Sequence, residues 1–247
     1  MAPSTTTRQP CIVAMGGGGF SMEPENLLLD QFVLGLCEAR RPKVCFLPTA
    51  SGDNDGYIVR FYRAFAAMEC SPRHLALFHR TREDLREVLL AQDVIYVGGG
   101  NTANMLAIWR IHGVDAILRE AWEQGVVLCG LSAGSICWFE GGVTDSFGPG
   151  LAGLSDGLGL LAGSHCPHYD GERTRRPTYQ GLIAKASLAP GIGADDGAAL
   201  VYLGTELYEV VSSREHARAW RVGLEADGQV SEEPIVTRFL GATTGVQ

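Results

Sequence analysis

The chain has 247 residues, 46% of them apolar, enough for one large α/β domain or two small ones. With 20 Lys and Arg against 28 Asp and Glu, the net charge is −8, which argues against nucleic-acid and anionic-membrane partners, since each wants a basic face. No apolar run approaches the ~20 residues needed to cross a bilayer.

The opening stretch "MAPSTTTRQP" is polar and lacks the apolar centre of a signal peptide. Seven cysteines show no C-x-x-C spacing and lie mostly inside apolar runs, as small buried hydrophobes do in a reducing compartment. The expected location is therefore cytoplasmic. Residues 1–9 read as a frayed N-terminus, 10–240 as one α/β domain, and 241–247 as a tail.

Short apolar runs alternate with segments of helical period. "CIVAM" (11–15) reads as a strand that ends in four glycines, 16–19. Residues 24–39 repeat Leu27, Leu28, Phe32 and Leu36 on one helical face. "KVCFLPT" (43–49) is a second strand, and 56–69 a helix with Tyr57, Phe61 and Phe65 along one side. "HLALF" (74–78) is a third strand. A helix over 81–91 opens with Thr81 and carries Asp84 three residues on, a capping signal. "DVIYVGGG" (93–100) is a fourth strand, 101–125 a long helix with a break expected near Gly113, and "VVLCG" (126–130) a fifth strand. Continuous apolar strands alternating with helices predict a three-layer, mostly parallel, flavodoxin-like sheet with helices on both faces. After residue 190 the pattern changes to short strands joined by turns such as Asp227-Gly228, an antiparallel C-terminal extension.

In an open parallel sheet, ligands bind beyond the carboxyl ends of the strands. Ser132 stands there, in the G-L-S-A-G turn between a strand and a helix. Such a turn is strained, and small residues two before and two after avoid collisions while the hydroxyl is lifted clear. The N–H of Ala133 points into the same space at a helix start, as an oxyanion donor. "GGGNT" (98–102) closes the preceding strand and can present the N–H groups of Gly99 or Gly100. It lacks the Lys-Ser/Thr pair of a phosphate loop. The glycines at 16–19 read either as a phosphate cradle or as an extended turn beside the site. A serine nucleophile needs a base, and of six histidines His165 and His168 in "GSHCPHYDGE" lie near a strand end. Asp145, Asp170, Asp195 and Asp196 are all open as the acid that orients it.

"GGGNT", "GLSAGS", "CPHYDGE" with "RTRRPTY", and "GIGADDGAAL", in this order and spacing, resemble the S51 serine peptidases over roughly residues 10–212. That family includes peptidase E, an α-aspartyl dipeptidase, and the cyanophycinases. The resemblance implies a fold similar to the class I glutamine amidotransferases, with the nucleophile on an elbow. It places the nucleophile on Ser132 and the base on His168 rather than His165. The orienting acid, usually a Glu before a Gly, falls on Asp196 before Gly197, one methylene shorter. Asp145 in "VTDS" is the rival acid. The oxyanion hole falls on Ala133 with Gly99 or Gly100. The aspartate-binding arginine of a Thr-Arg pair falls on Arg175, with Arg176 or Arg173 as substitutes, in a loop shorter than peptidase E has. Asn101 is a substrate-binding candidate. The implied reaction is acyl transfer from short peptides, with dipeptides bearing N-terminal aspartate as one substrate class and no metal or organic cofactor. The open alternatives are a hydrolase without aspartate selectivity, including β-Asp-Arg cleavage, and a non-catalytic binding module on the same scaffold. A homodimer is the one protein partner left open.

Overall fold

A computed structural model describes residues 9–79 and 83–241. The expected fraying of 1–8 and 242–247, and Thr81, lie outside the described residues. The strands are β1 (Cys11–Met15), β2 (Lys43–Leu47), β3 (Ser71–His74), β4 (Val94–Val97), β5 (Val127–Leu131), β6 (Phe139–Thr144), β7 (Ala152–Leu154) and β8 (Leu161–Cys166), followed by β9 (Gly191–Ala194), β10 (Ala198–Leu203), β11 (Glu206–Ser212), β12 (Ala219–Leu224), β13 (Val230–Ile235) and β14 (Thr237–Phe239). The helices are α1 (Gly19–Met22), α2 (Leu28–Gly35), α3 (Asp55–Phe65), α4 (Leu85–Leu90), α5 (Thr102–His112), α6 (Val114–Glu123), α7 (Ala133–Ile136) and α8 (Arg175–Ala184).

Among the described residues the strands form an eight-stranded sheet, ordered β14-β11-β10-β1-β5-β4-β2-β3, and a six-stranded sheet, ordered β13-β12-β9-β8-β6-β7. From β1 to β3 the first sheet is parallel, as the apolar runs predict. Strands β10 and β11 extend it antiparallel. The period of two sorts side chains between its faces. Ile12, Cys45, Leu47, Ile95, Val97 and Leu128 enter one core layer with Leu106, Trp109 and Leu118 of the helices. Val13, Met15, Val44, Phe46, Tyr96 and Cys129 enter the other, with Phe20, Leu29, Phe61 and Phe65. Phe46 and Phe61 stack at 4.8 Å and Phe20 meets Tyr96 edge-on at 5.3 Å, pair geometries worth about 0.5–1.5 kcal/mol each beyond area burial.

Local chemistry sets the element ends. The expected break at Gly113 is real: its φ of 69° ends α5 and starts α6. Asp84, expected three residues inside its helix, is the N-cap itself and accepts the N–H groups of Arg86 and Glu87. Residues 74–78 are not the third strand. That strand ends at His74 because the N–H groups of Leu77 and Phe78 go to the Asp53 carboxylate, at 2.6 and 2.7 Å, rather than to a neighbouring strand. The segment after Ser132 is one short helix and then β6, which leads into the second sheet; of that sheet the sequence disclosed the antiparallel pair β12 and β13, on either side of the Asp227-Gly228 turn, but not that they join β6 to β9 in a sheet of their own. Among the described residues no helix is long and apolar enough to cross a membrane.

Candidate active site

Ser132 follows β5 with φ 55° and ψ −116°, a left-handed backbone conformation that side chains avoid. The crossing is too tight for larger neighbours. A Cβ on Gly130 would lie 2.4 Å from the Gly134 carbonyl, and one on Gly134 would lie 2.3 Å from the Val97 carbonyl. Gly99 lies directly over the serine, since a Cβ there would be 3.3 Å from Ser132 Cβ. Among the described residues the Ser132 hydroxyl has no hydrogen-bond partner and is half-buried.

His168 is the second residue at this centre with a left-handed backbone, φ 53°. Its Nδ1 lies 2.6 Å from Asp196 Oδ1, and both side chains are about 12% exposed. One structural element gathers the segments. The N–H of Ser132 donates to Met15 O at 3.3 Å, that of His168 to Gly16 O at 3.1 Å, and that of Gly197 to Gly17 O at 3.0 Å. Three consecutive carbonyls at the end of β1 thus receive the backbone N–H groups of the serine, of the histidine and of the residue after the carboxylate. The glycines at 16–19, ambiguous in the sequence, are the turn beside the site.

The other sequence candidates separate. Asp145 is exposed on the loop after β6, and among the described residues no contact joins it to His168. Asp170 accepts the N–H of Asp196 at 2.8 Å and so fixes the backbone of the paired acid. Asp195 points elsewhere, accepting from Arg218 N–H and Trp220 Nε1; burial, then the charge of Asp170, pushes its carboxyl up to about 6. His165 is fully buried, stacked on Phe139 at 4.9 Å, with Nδ1 2.9 Å from Ile192 O. Burial pushes it down to about 3, so it stays neutral.

Of the candidate oxyanion donors, the Gly99 N–H is engaged by the Tyr57 hydroxyl at 3.2 Å, a partner the sequence did not suggest. Among the described residues Gly100 and Ala133 donate to no protein acceptor. Asn101 caps α5 through its Oδ1 and donates from Nδ2 to Ser146 O, so its amide braces two loops. Arg175, expected to face substrate, is instead 3% exposed. Its Nη1 donates to Val143 O and its Nε to Glu172, which encloses the guanidinium in the fold. Arg176 pairs with Glu232 and lies over the rings of Trp220 and Tyr169, at 4.6 and 5.4 Å. Glu232, far along the chain on β13, also accepts from Tyr169 and Gln180. No local pattern in the sequence marks it.

Comparison with known proteins agrees with this fold. Over 230 residues the chain is 55% identical to an uncharacterized peptidase, YgaJ, of Bacillus subtilis strain 168, covering 93% of this chain and 99% of that protein. It is 28% identical over 204 residues to a peptidase E of Shewanella denitrificans strain OS217, covering 76% of this chain and 84% of that one. A crystal structure of a peptidase from an acI-B1 actinobacterium superposes with a TM-score of 0.64 at 18% identity, over 94% of this chain and 96% of that one. The family description Peptidase family S51 matches residues 12–210. The strained serine turn, the imidazole–carboxylate pair and this match lead to one placement: the chain belongs to peptidase family S51.

Proposed function

We propose that the protein is a serine peptidase that hydrolyses short peptides by acyl transfer. The observation that carries the reading is the convergence on β1: consecutive carbonyls hold the segments of Ser132, His168 and Asp196, and the last two are already paired at 2.6 Å. A carboxylate that accepts at Nδ1 leaves the His168 Nε2 lone pair as the base. In the reaction Ser132 Oγ attacks the peptide carbonyl while His168 takes its proton. The oxyanion forms between the N–H groups of Ala133 and Gly100. His168 then protonates the leaving amine, and water releases the acyl group by the reverse path. The hydroxyl–imidazole hydrogen bond closes on substrate binding, as such contacts commonly tighten only in the bound complex.

Selectivity for N-terminal aspartate would need a free cation to take a carboxylate in two parallel hydrogen bonds. Arg175 is enclosed and Arg176 is paired to Glu232, while Arg173 is exposed ahead of α8 and, among the described residues, no contact joins it to Ser132, His168 or Asp196, so the proposed substrate class is short peptides without an aspartate requirement. Hydrolysis of Asp-Leu, Leu-Leu and β-Asp-Arg by wild type and Ser132→Ala tests both parts. The expected result is turnover of Leu-Leu within about tenfold of Asp-Leu, and a loss of at least about 10⁴-fold in the variant, the scale seen when a triad member is removed. Activity in Ser132→Ala equal to wild type would overturn the serine mechanism. Cleavage confined to Asp-Leu would overturn the substrate class.

A further inference from the structure

The carboxylate of Asp196 is flanked by two glycines from different parts of the chain. A Cβ on Gly17 would lie 2.1 Å from Asp196 Oδ1 and 2.9 Å from His168 Nδ1. A Cβ on Gly171 would lie 2.3 Å from Asp196 Oδ2. Neither glycine has a positive φ, so the backbone at both positions is one that alanine adopts. For each, the three nearest atoms that a side chain would meet belong to the His168–Asp196 pair. The neighbouring glycines differ. A Cβ on Gly16 would meet the backbone carbonyls of Ala194 and Asp195, at 2.4 and 2.3 Å, and Gly18 has φ 97°.

We propose that Gly17 and Gly171 are positioning residues for the catalytic acid, a glycine cradle that seats one carboxylate oxygen on each side and aims Oδ1 at His168. The proposal rests on the serine-peptidase reading above. Its physical content is steric: the cradle is as wide as a carboxylate, and one added methyl on either side must rotate or push the acid off the imidazole. The backbone supports the same geometry, because the Asp196 N–H is held by Asp170 and the Gly197 N–H by Gly17 O. The acid therefore cannot follow the displaced carboxylate by a backbone shift without breaking both bonds.

The test compares wild type with Gly17→Ala, Gly171→Ala, Asp196→Ala and the double variants carrying Asp196→Ala. Gly35→Ala is the control, since nothing lies within 4 Å of a Cβ there. Each glycine variant is expected to lose about 10²-fold in kcat, the cost of misplacing a catalytic group by about 1 Å, with KM within about threefold. The NMR resonance of the His168 Nδ1 proton, present in wild type, should be lost or broadened in both. In the Asp196→Ala background the same substitutions should cost less than about fivefold, because the group they displace is gone. The two glycines stand on different segments, so a single folded variant is enough. Wild-type kcat and an unchanged Nδ1 resonance in a folded Gly17→Ala or Gly171→Ala would overturn the cradle. So would an equal loss with and without Asp196. Activity retained in Ser132→Ala marks the other failure, that of the peptidase mechanism itself, and the Nδ1 resonance still reports on the cradle there.

Discussion

Ser132 and His168 are held in left-handed backbone that their neighbours enforce, and Asp196 is held by hydrogen bonds to its own and the following amide. The two acids that the residues alone left open, and between which the resemblance favours Asp196, differ at this scale. Asp196 touches the imidazole and Asp145 is exposed. Asp196→Asn should therefore cost about 10²–10⁴-fold in kcat and Asp145→Asn less than about threefold, measured on the same dipeptide. Equal losses would reopen the assignment. Ser132 and His168 were legible because turn chemistry is local: glycines at fixed offsets, a proline before the histidine. Adjacent arginines carry no such mark. Arg175 and Arg176 look alike in "RTRR", yet one is enclosed and the other half-exposed, because helix α8 turns successive residues toward different surroundings.

Among the elements, β1 and its glycine turn do the most to assemble the site, and α2 supports them from behind. Asp30 of α2 is fully buried, accepting the N–H of Phe20 at 2.8 Å and the hydroxyl of Tyr96 at 3.1 Å. Burial pushes its carboxyl up from 3.8 to about 7. The folded state thus favours the protonated form. This contribution to stability is complete below pH ~4 and is lost as pH rises through about 7. Asp30→Asn keeps the acceptor for Phe20 and removes the titration. Its melting temperature relative to wild type should rise from pH 4.5 to pH 8 by about 3 °C or more, read by calorimetry. A difference that stays flat with pH would refute the account. The break at Gly113 was readable from a single residue, whereas the sequence pattern sets the cap at Asp84 three residues too deep in its helix. The end of β3 was not readable, since it depends on Asp53, remote in sequence from the amides it captures.

Across the whole molecule, alternating apolar strands and helices disclosed the parallel sheet but not the second sheet. Strands such as "FEGGVT", "LAGSHC" and "GIGA" are too rich in glycine to show a period of two, and they form because their partners approach closely. A Cβ on Gly142 would lie 2.4 Å from the His165 carbonyl, and one on Gly191 would lie 1.9 Å from that of Ser164. The expectation of buried cysteines holds at this scale. None of the seven forms a disulfide, six are buried, and Cys37 is half-exposed. Burial pushes Cys11 up to about 11 and Cys45 up to about 12, which suppresses their thiolates. A thiol reagent at pH 8 should label Cys37 alone in the native protein and all seven cysteines after denaturation, counted by mass spectrometry. Rapid native labelling of several cysteines would show a looser core.

The contorted main chain at 132 sets endurance against chemistry. Glycine would relax there, recovering about 1–3 kcal/mol of the energy that such a conformation stores. A population of variants culled only by heat would therefore drift toward glycine at that position and fill with sturdy molecules that, on the proposed serine mechanism, are inert.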